Sequence, residues 1–500
     1  MKRVAIVIVY LLGVEISFSQ SVTQKLEKAW NQFENDDQLK HAVSSLYVID
    51  AATGKVVFDK NSSIGLAPAS TQKIITAATA FDLLGKDYRY KTEFSYDGEI
   101  KKDTLKGNLY LIGYGDPTLG SWRYKSTTPE KILDFFAASL VNKNVKVLEG
   151  SLYIDKRKFS TQTIPDGWIW QDIGNYYGAG SGSLNWKENQ RDVILKSGPK
   201  EGDTVKFVIK NGKHSTIAYG MAENEIRSGK PGSGDNAYAY FSPGSESVFY
   251  RGTIPVNEDS FKISVSLSSP EWTLYHELND LLIEKSFKLK GDYAKNHGEF
   301  EYLQNYYGNK DIRFTHYGLD SIGFEDSSKF DPFLKPVLNL YTHYSPSLDS
   351  IVYWFLRKSI NLYGEALVKT FSYEKNGYGA TDTGVNIVKD FWKKKGLDVS
   401  ELNLYDGSGL SPLNRVTTHA QVEVLKYAKQ QNWFNSFYDA LPEYNGMKMK
   451  SGTISDVKAF CGYQKAKDGK EYIFSFIVNN YNGISLSLVN KMYKVLDILK

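Results

Sequence analysis

One cysteine stands in a chain of 500 residues, Cys461, so no intrachain disulfide can form. Its distance from the chain start also excludes an N-terminal lipid anchor on cysteine, and a small buried strand residue is its expected role. The seven histidines include no His-Glu-x-x-His, which leaves a metal site without support. Neither a Gly-x-Ser-x-Gly elbow nor a Gly-x-x-x-x-Gly-Lys phosphate loop occurs, which argues against an ordinary esterase or a nucleotide enzyme. The net charge of +4 comes with no long basic cluster, so no nucleic-acid partner is expected. Repeats, low-complexity tracts and long linkers are missing as well.

What is present describes a folded protein: 41% hydrophobic, 14% aromatic and 24% charged residues over a length that calls for two or three compact units. Lys2 and Arg3 precede an apolar stretch from Val4 to Val14, and Ser17, Phe18 and Ser19 supply a small-x-small pattern before Gln20. This reads as a signal peptide over residues 1–19, too short and wrongly flanked for a spanning helix. No later run is long enough to cross a membrane, so a mature chain without a membrane span, exported to the periplasm, is expected.

Residues 20–42 read as a helix with Leu26, Trp30 and Phe33 on one face, followed by a hairpin that turns at Gly54. A helix that ends near Gly85 comes next. From about 90 to 335 the texture changes to short strands separated by Gly, Asn and Asp, with one clear amphipathic helix. Helical periodicity then returns, and the chain closes with a strand, a turn at Asp468-Gly469, a second strand and a helix. This order predicts an α+β fold: an antiparallel sheet whose terminal strands meet in space, with a large strand-rich insertion. The expected units are 20–90 with 335–500, and an inserted region 91–334 made of 91–185 with 270–334 and a separate 186–269.

With metal, cofactor and elbow set aside, serine with lysine remains. Ser-x-x-Lys occurs at Ser70, Ser197, Ser372 and Ser455, so the pattern alone selects nothing. Ser70 and Lys73 are distinguished by their place at the mouth of an apolar helix, where positions three apart share a face. To act as a base there Lys73 must lose about three pKa units, roughly 4 kcal/mol. Burial, the helix dipole and a second cation all push that way. The second cation is available in Lys450-Ser451-Gly452-Thr453 at a strand start, where Gly452 permits close approach and Thr453 offers an N–H. Lys196-Ser197-Gly198 fails as an equivalent because Pro199 has no N–H. Ser359 and Asn361, two apart in a helical region, supply a hydroxyl and an amide; Ser183 and Asn185 share that spacing but sit in a glycine-rich loop.

Ser-x-x-Lys, Ser-x-Asn and Lys-Ser-Gly in this order resemble the penicillin-binding proteins and serine β-lactamases. The long separation of Ser70 from Ser359 is similar to the D-alanyl-D-alanine carboxypeptidase/endopeptidase family of low-molecular-mass penicillin-binding proteins (class C type). Further stretches carry the resemblance: GYGDPTL (113–119), PDGWIWQDIGNYYGAGSGSLNWKEN (165–189), SINLYGEALVK (359–369), DGSGLSPLNRVT (406–417) and KSGTISDVKAFCGY (450–463). Ile360 stands where that family often has Asp, and Ser451 where Thr is usual.

The resemblance implies a β-lactamase/transpeptidase-like catalytic domain without a cofactor, acting on peptidoglycan peptides and captured by β-lactams. It implies Ser70 as nucleophile, Lys73 as base, and Ser359 with Lys450 as proton relay to the leaving amine. Asn361 would hold the acyl-side amide, Ser451 the terminal carboxylate, and the N–H groups of Ser70 and Thr453 the oxyanion, with Gly452 between. It also carries an acidic and an aromatic contact to the peptide's diamino acid onto Asp155 and Phe159. A catalytically weak peptidoglycan-binding scaffold and a β-lactamase of the same fold are the alternatives.

Overall fold

The fold is described from a computed structural model covering residues 21–208, 222–243, 245, 247–290 and 336–500. The expected signal peptide, and the part of the insertion from 291 to 334, lie outside the described residues.

The two ends of the chain meet in one six-stranded antiparallel sheet. Its order is Glu443–Tyr444, Met447–Ile454, Val457–Lys465, Glu471–Asn479, Val43–Asp50 and Val56–Lys60. Alternation along a strand sends neighbours to opposite faces, and here both faces are covered. Leu46 and Val48 pack with Leu26, Trp30 and Phe33 of the helix Val22–Glu34 and with Met492 of the helix Ser485–Leu496. Tyr47 and Ile49, one residue out of phase, join Ile74, Ile75 and Phe81 of the helix Lys73–Leu84 in the largest core. Cys461 is buried in that core, on the strand beside Lys450. Gly85 ends the helix Lys73–Leu84 at φ 82°, a backbone conformation that glycine adopts without steric cost.

Two four-stranded sheets follow. One runs Leu338–Tyr344, Lys91–Tyr96, Leu109–Gly113, Leu152–Asp155; the other runs Lys288–Lys290, Val147–Glu149, Thr104–Lys106, Glu99–Lys101. They share a core with the helices Pro129–Asn142 and Pro270–Glu284, centred on Phe94, Phe136, Leu148 and Leu278. Two three-stranded sheets drawn from 190–266 enclose a separate core of Val193, Ile226, Tyr250 and Val265.

The strand Leu338–Tyr344 differs from the expected division, in which the catalytic half resumes at 335: it pairs antiparallel with Lys91–Tyr96 and so belongs to the inserted sheet. The two crossings meet at Tyr90 and Ser345, where the Ser345 N–H donates to Tyr90 O at 3.0 Å and the Tyr90 N–H to Ser345 Oγ at 2.9 Å. We propose to divide the chain there, with 21–90 and 345–500 as one unit.

Helical periodicity runs through 347–371 in the sequence, yet the structure breaks it: one helix is Leu348–Arg357, the next Asn361–Asn376, and Ser359 lies between them at φ 58°. Lys450 likewise falls inside a strand and not at its start. Both corrections concern where the backbone is held by neighbours, which local pattern does not encode.

Candidate active site

Pro68 leads into a tight turn, Ala69–Gln72, that runs on as the helix Lys73–Leu84. Ala69 is held at φ 46°, a conformation costing an L-residue about 1–2 kcal/mol, and Gly409 closes over it so tightly that a Cβ there would lie 2.0 Å from Ala69 O. The turn delivers Ser70, partly exposed, beside a fully buried Lys73.

Lys73 Nζ lies 2.9 Å from Ser70 Oγ, 2.6 Å from Asn361 Oδ1 and 2.7 Å from the Ser408 carbonyl. The amide of Asn361 is oriented unambiguously, because its Nδ2 donates to the Tyr177 carbonyl at 2.7 Å and a carbonyl can only accept. Two of the three neighbours of Lys73 are therefore pure acceptors and the third is a hydroxyl. An ammonium can meet all three as acceptors, and so can a neutral amine, whose two N–H bonds go to the carbonyl oxygens while its lone pair faces the Ser70 proton. Burial, then the nearby Lys450 charge, hold Lys73 well below the usual lysine range, with Asp406 and Glu365 opposing.

Lys450 Nζ donates to Ser359 Oγ at 3.0 Å and to Ser451 O at 2.8 Å, and burial pushes its pKa down to about 7. Gly452 brings the strand against the nucleophile turn: a Cβ there would meet Pro68 O at 2.6 Å and Ser70 N at 3.0 Å. On the same strand the Met449 N–H donates outward to Pro442 O at 3.0 Å. Alternation then turns the N–H groups of Ser451 and Thr453 to the same outer edge. The Thr453 hydroxyl accepts from Lys458 at 2.8 Å. Ser451 is half-buried.

The structure thus assembles Ser70, Lys73, Asn361, Ser359, Lys450 and Gly452 from a turn, an interhelical corner and a strand. Of the rival residues, Ser197 Oγ donates to Pro255 O at 2.6 Å, Ser372 Oγ to Tyr378 O at 2.6 Å, and Asn185 Nδ2 to Asp116 O at 3.2 Å, all away from this group. Asp155 and Phe159 are not brought to this group. Both oxygens of Asp155 are held by Arg157 at 3.0 Å, and Phe159 is buried against Gly115, Gly379 and Tyr373.

Two sets of residues at the site escaped the sequence reading. Asp406 is buried and accepts from Gln72 Nε2 (3.1 Å), Trp168 Nε1 (2.9 Å), Asn414 Nδ2 (3.0 Å) and the N–H groups of Gly409 and Ser411 (both 2.7 Å). It thereby shapes the turn that presents the Ser408 carbonyl to Lys73. Asp172 and Tyr177 form the second set, a half-buried acid and phenol adjoining the Asn361 contact; burial pushes the Asp172 carboxyl up to about 6. Both sets lie in the stretches 165–189 and 406–417 that carried the resemblance, and an Asp followed by Gly-Ser-Gly was the readable signal of a turn hub. Among the described residues no cluster of three or more His, Cys, Asp or Glu could hold a metal, and no helix is long and apolar enough to cross a membrane.

Residues 24–297 and 334–443 match the D-Ala-D-Ala carboxypeptidase 3 (S13) family, a match that includes the nucleophile turn and the Ser359 corner. The chain belongs to this family. The chain is 26% identical over 477 residues to the D-alanyl-D-alanine carboxypeptidase of Actinomadura sp. (strain R39), covering 90% of this chain and 80% of that one. It is 22% identical over 453 residues to D-alanyl-D-alanine carboxypeptidase DacB of Haemophilus influenzae, covering 86% and 83%. The crystal structure of penicillin binding protein 4 (dacB) from Haemophilus influenzae superposes with a TM-score of 0.71 at 18% identity, covering 95% of this chain and 97% of that one. The fold expected from the order of elements and the resemblance, a β-lactamase/transpeptidase-like α+β sheet with a large insertion, is the one found.

Proposed function

We propose that this S13 family member is an exported serine-type D-Ala-D-Ala carboxypeptidase or endopeptidase that works through an acyl-enzyme on Ser70. The observation that carries this reading is the placement of Lys73: fully buried, with Nζ 2.9 Å from Ser70 Oγ and held by two carbonyl oxygens, where burial favours the neutral amine. Lys73 takes the Ser70 proton as Oγ attacks the carbonyl of the D-Ala-D-Ala bond. The developing oxyanion is met by the N–H groups of Ser70 and Thr453, a term worth about 3 kcal/mol per donor. The Ser359 hydroxyl, held by Lys450, passes a proton to the leaving amine and is resupplied with the one that Lys73 took from Ser70, so the bond to terminal D-Ala breaks and Lys73 is a neutral amine again. Water then attacks the ester with Lys73 as base, and Lys73 hands that proton to the departing Ser70 Oγ as the shortened peptide is released.

Asn361 orients the acyl-side amide, and Lys450 with Ser451 receives the terminal carboxylate. The acidic and aromatic contacts to a diamino acid are better met by Asp172 and Tyr177 than by Asp155 and Phe159, since the Asp155 carboxylate is already matched by Arg157. Export to the periplasm rests on the charged, apolar and small-x-small succession of residues 1–19. The strained amide and carboxylate of a β-lactam imitate the D-Ala-D-Ala end, so these antibiotics acylate the same serine.

Incubating the purified protein with defined muropeptides and weighing the products by mass spectrometry tests the reading. Loss of a single D-Ala marks carboxypeptidase action, and splitting of cross-linked dimers marks endopeptidase action. Binding without any product would identify a scaffold, and rapid penicillin turnover without peptide cleavage a β-lactamase.

A further inference from the structure

Behind the nucleophile lies a second buried carboxylate that the reaction as written does not use. Glu365, on the helix Asn361–Asn376, is fully buried. One of its oxygens accepts from the Gly407 N–H at 3.0 Å, while the other, Oε1, is buried with the Ser408 hydroxyl as its neighbouring polar group. The helix and the turn 406–409 approach backbone to backbone: a Cβ on Gly407 would lie 2.2 Å from Gly364 O. Glu365 and Lys73 therefore grip consecutive residues of one turn from opposite sides, the first at the Gly407 N–H and the second at the Ser408 carbonyl.

The charged groups facing Glu365 are Asp406 from the turn, Lys73 from the nucleophile helix and Lys369 from its own helix. No ion pair joins it to either lysine among the described residues; Lys369 Nζ instead donates to the carbonyls of Gln162 (2.5 Å) and Ser181 (2.8 Å). Ionised, Glu365 would be a buried carboxylate with only the Gly407 N–H and the Ser408 hydroxyl to meet its charge and no paired cation, at high cost, whereas the protonated acid needs only hydrogen-bond partners. Burial and the Asp406 charge push its pKa up to about 8, in the same direction.

We infer that Glu365 is a positioning residue for Lys73, holding the turn that binds the amine and, by carrying a proton itself, keeping the amine neutral. The charge pair Lys73-NH3+ with Glu365-COO− and the neutral pair Lys73-NH2 with Glu365-COOH contain the same number of protons. Only the neutral pair leaves a lone pair for Ser70. This inference rests on the acyl-enzyme reading above.

The test is the pH profile of Ser70 acylation by a labelled penicillin in the wild type, Glu365→Gln and Glu365→Ala. The amide keeps the shape and the Gly407 contact and is neutral, as the protonated acid is, so the acidic limb of Glu365→Gln should stay at the wild-type pH. Glu365→Ala removes the Gly407 acceptor, and acylation should fall about 10- to 100-fold through misplacement of the turn. If the amide variant does not fold, Glu365→Met, uncharged and similar in length, carries the same expectation for the acidic limb. A folded uncharged variant whose acidic limb moves to lower pH by about one unit or more, the shift that loss of an opposite charge produces at close range, shows an ionised Glu365 in the wild type and overturns the inference while leaving the acyl-enzyme reading intact. A wild type that is never acylated overturns both.

Discussion

Gly452→Ala puts a single methyl where the strand Met447–Ile454 presses on the nucleophile turn. The added carbon would lie 2.6 Å from Pro68 O, 2.9 Å from Thr71 N and 3.0 Å from Ser70 N, where ordinary contact begins at 3.4 Å. All three are backbone atoms, and their turn is pinned: Thr71 Oγ1 donates to Pro68 O at 2.6 Å, Gln421 Nε2 donates to Thr71 Oγ1 at 2.8 Å, and Gly409 sits against Ala69. The strand must therefore retreat by most of an ångström, carrying the Thr453 N–H with it. Overpacking of this kind costs about 1–3 kcal/mol of stability. Loss of one oxyanion donor costs about 3 kcal/mol, or 10²- to 10³-fold in rate. The assay is the second-order acylation rate with a labelled penicillin, measured beside a thermal melt. A lower melting temperature with an unchanged acylation rate would refute the assignment of Thr453 as a donor to the oxyanion.

Lys73→Arg keeps a cation that cannot be deprotonated, so acylation should fall by about 10²- to 10⁴-fold in a variant shown to be folded. Lys450, with its pKa pushed down to about 7, is cationic below that pH and neutral above it. KM for a D-Ala-D-Ala peptide should therefore rise as pH increases through about 7, and Lys450→Arg, charged throughout, should abolish that step while retaining more activity than Lys73→Arg. Asp406→Ala strands the side chains of Gln72, Trp168 and Asn414 and two backbone N–H groups, and should cost at least about 3 kcal/mol in denaturant unfolding, with acylation lost alongside.

The sequence made the sheet and the chemical pair legible because both are written in short spacings. Leu46 and Val48 alternate with Tyr47 and Ile49 across two buried faces, and Ser70 with Lys73 needs only one turn to meet. What it hid depends on contacts far along the chain. The corner at Ser359 interrupts a run whose periodicity is helical on both sides, and the Lys450 contact to its hydroxyl crosses from the terminal sheet. The strand Leu338–Tyr344 finds its partner at Lys91–Tyr96, so the inserted sheet reaches past the expected boundary. Asp155 carries no local mark of its pairing with Arg157, and Asp406 and Glu365 read as ordinary charged residues although both are buried.

Covalent capture tests the central claim most directly. The purified protein is incubated with a labelled penicillin, digested, and the modified peptide sequenced by mass spectrometry, for the wild type and for Ser70→Ala. The account predicts one penicilloyl adduct on Ser70, absent from a Ser70→Ala variant whose melting temperature is nearly unchanged. An adduct on Ser197, Ser372 or Ser359, or label retained in the folded Ser70→Ala variant, would contradict it.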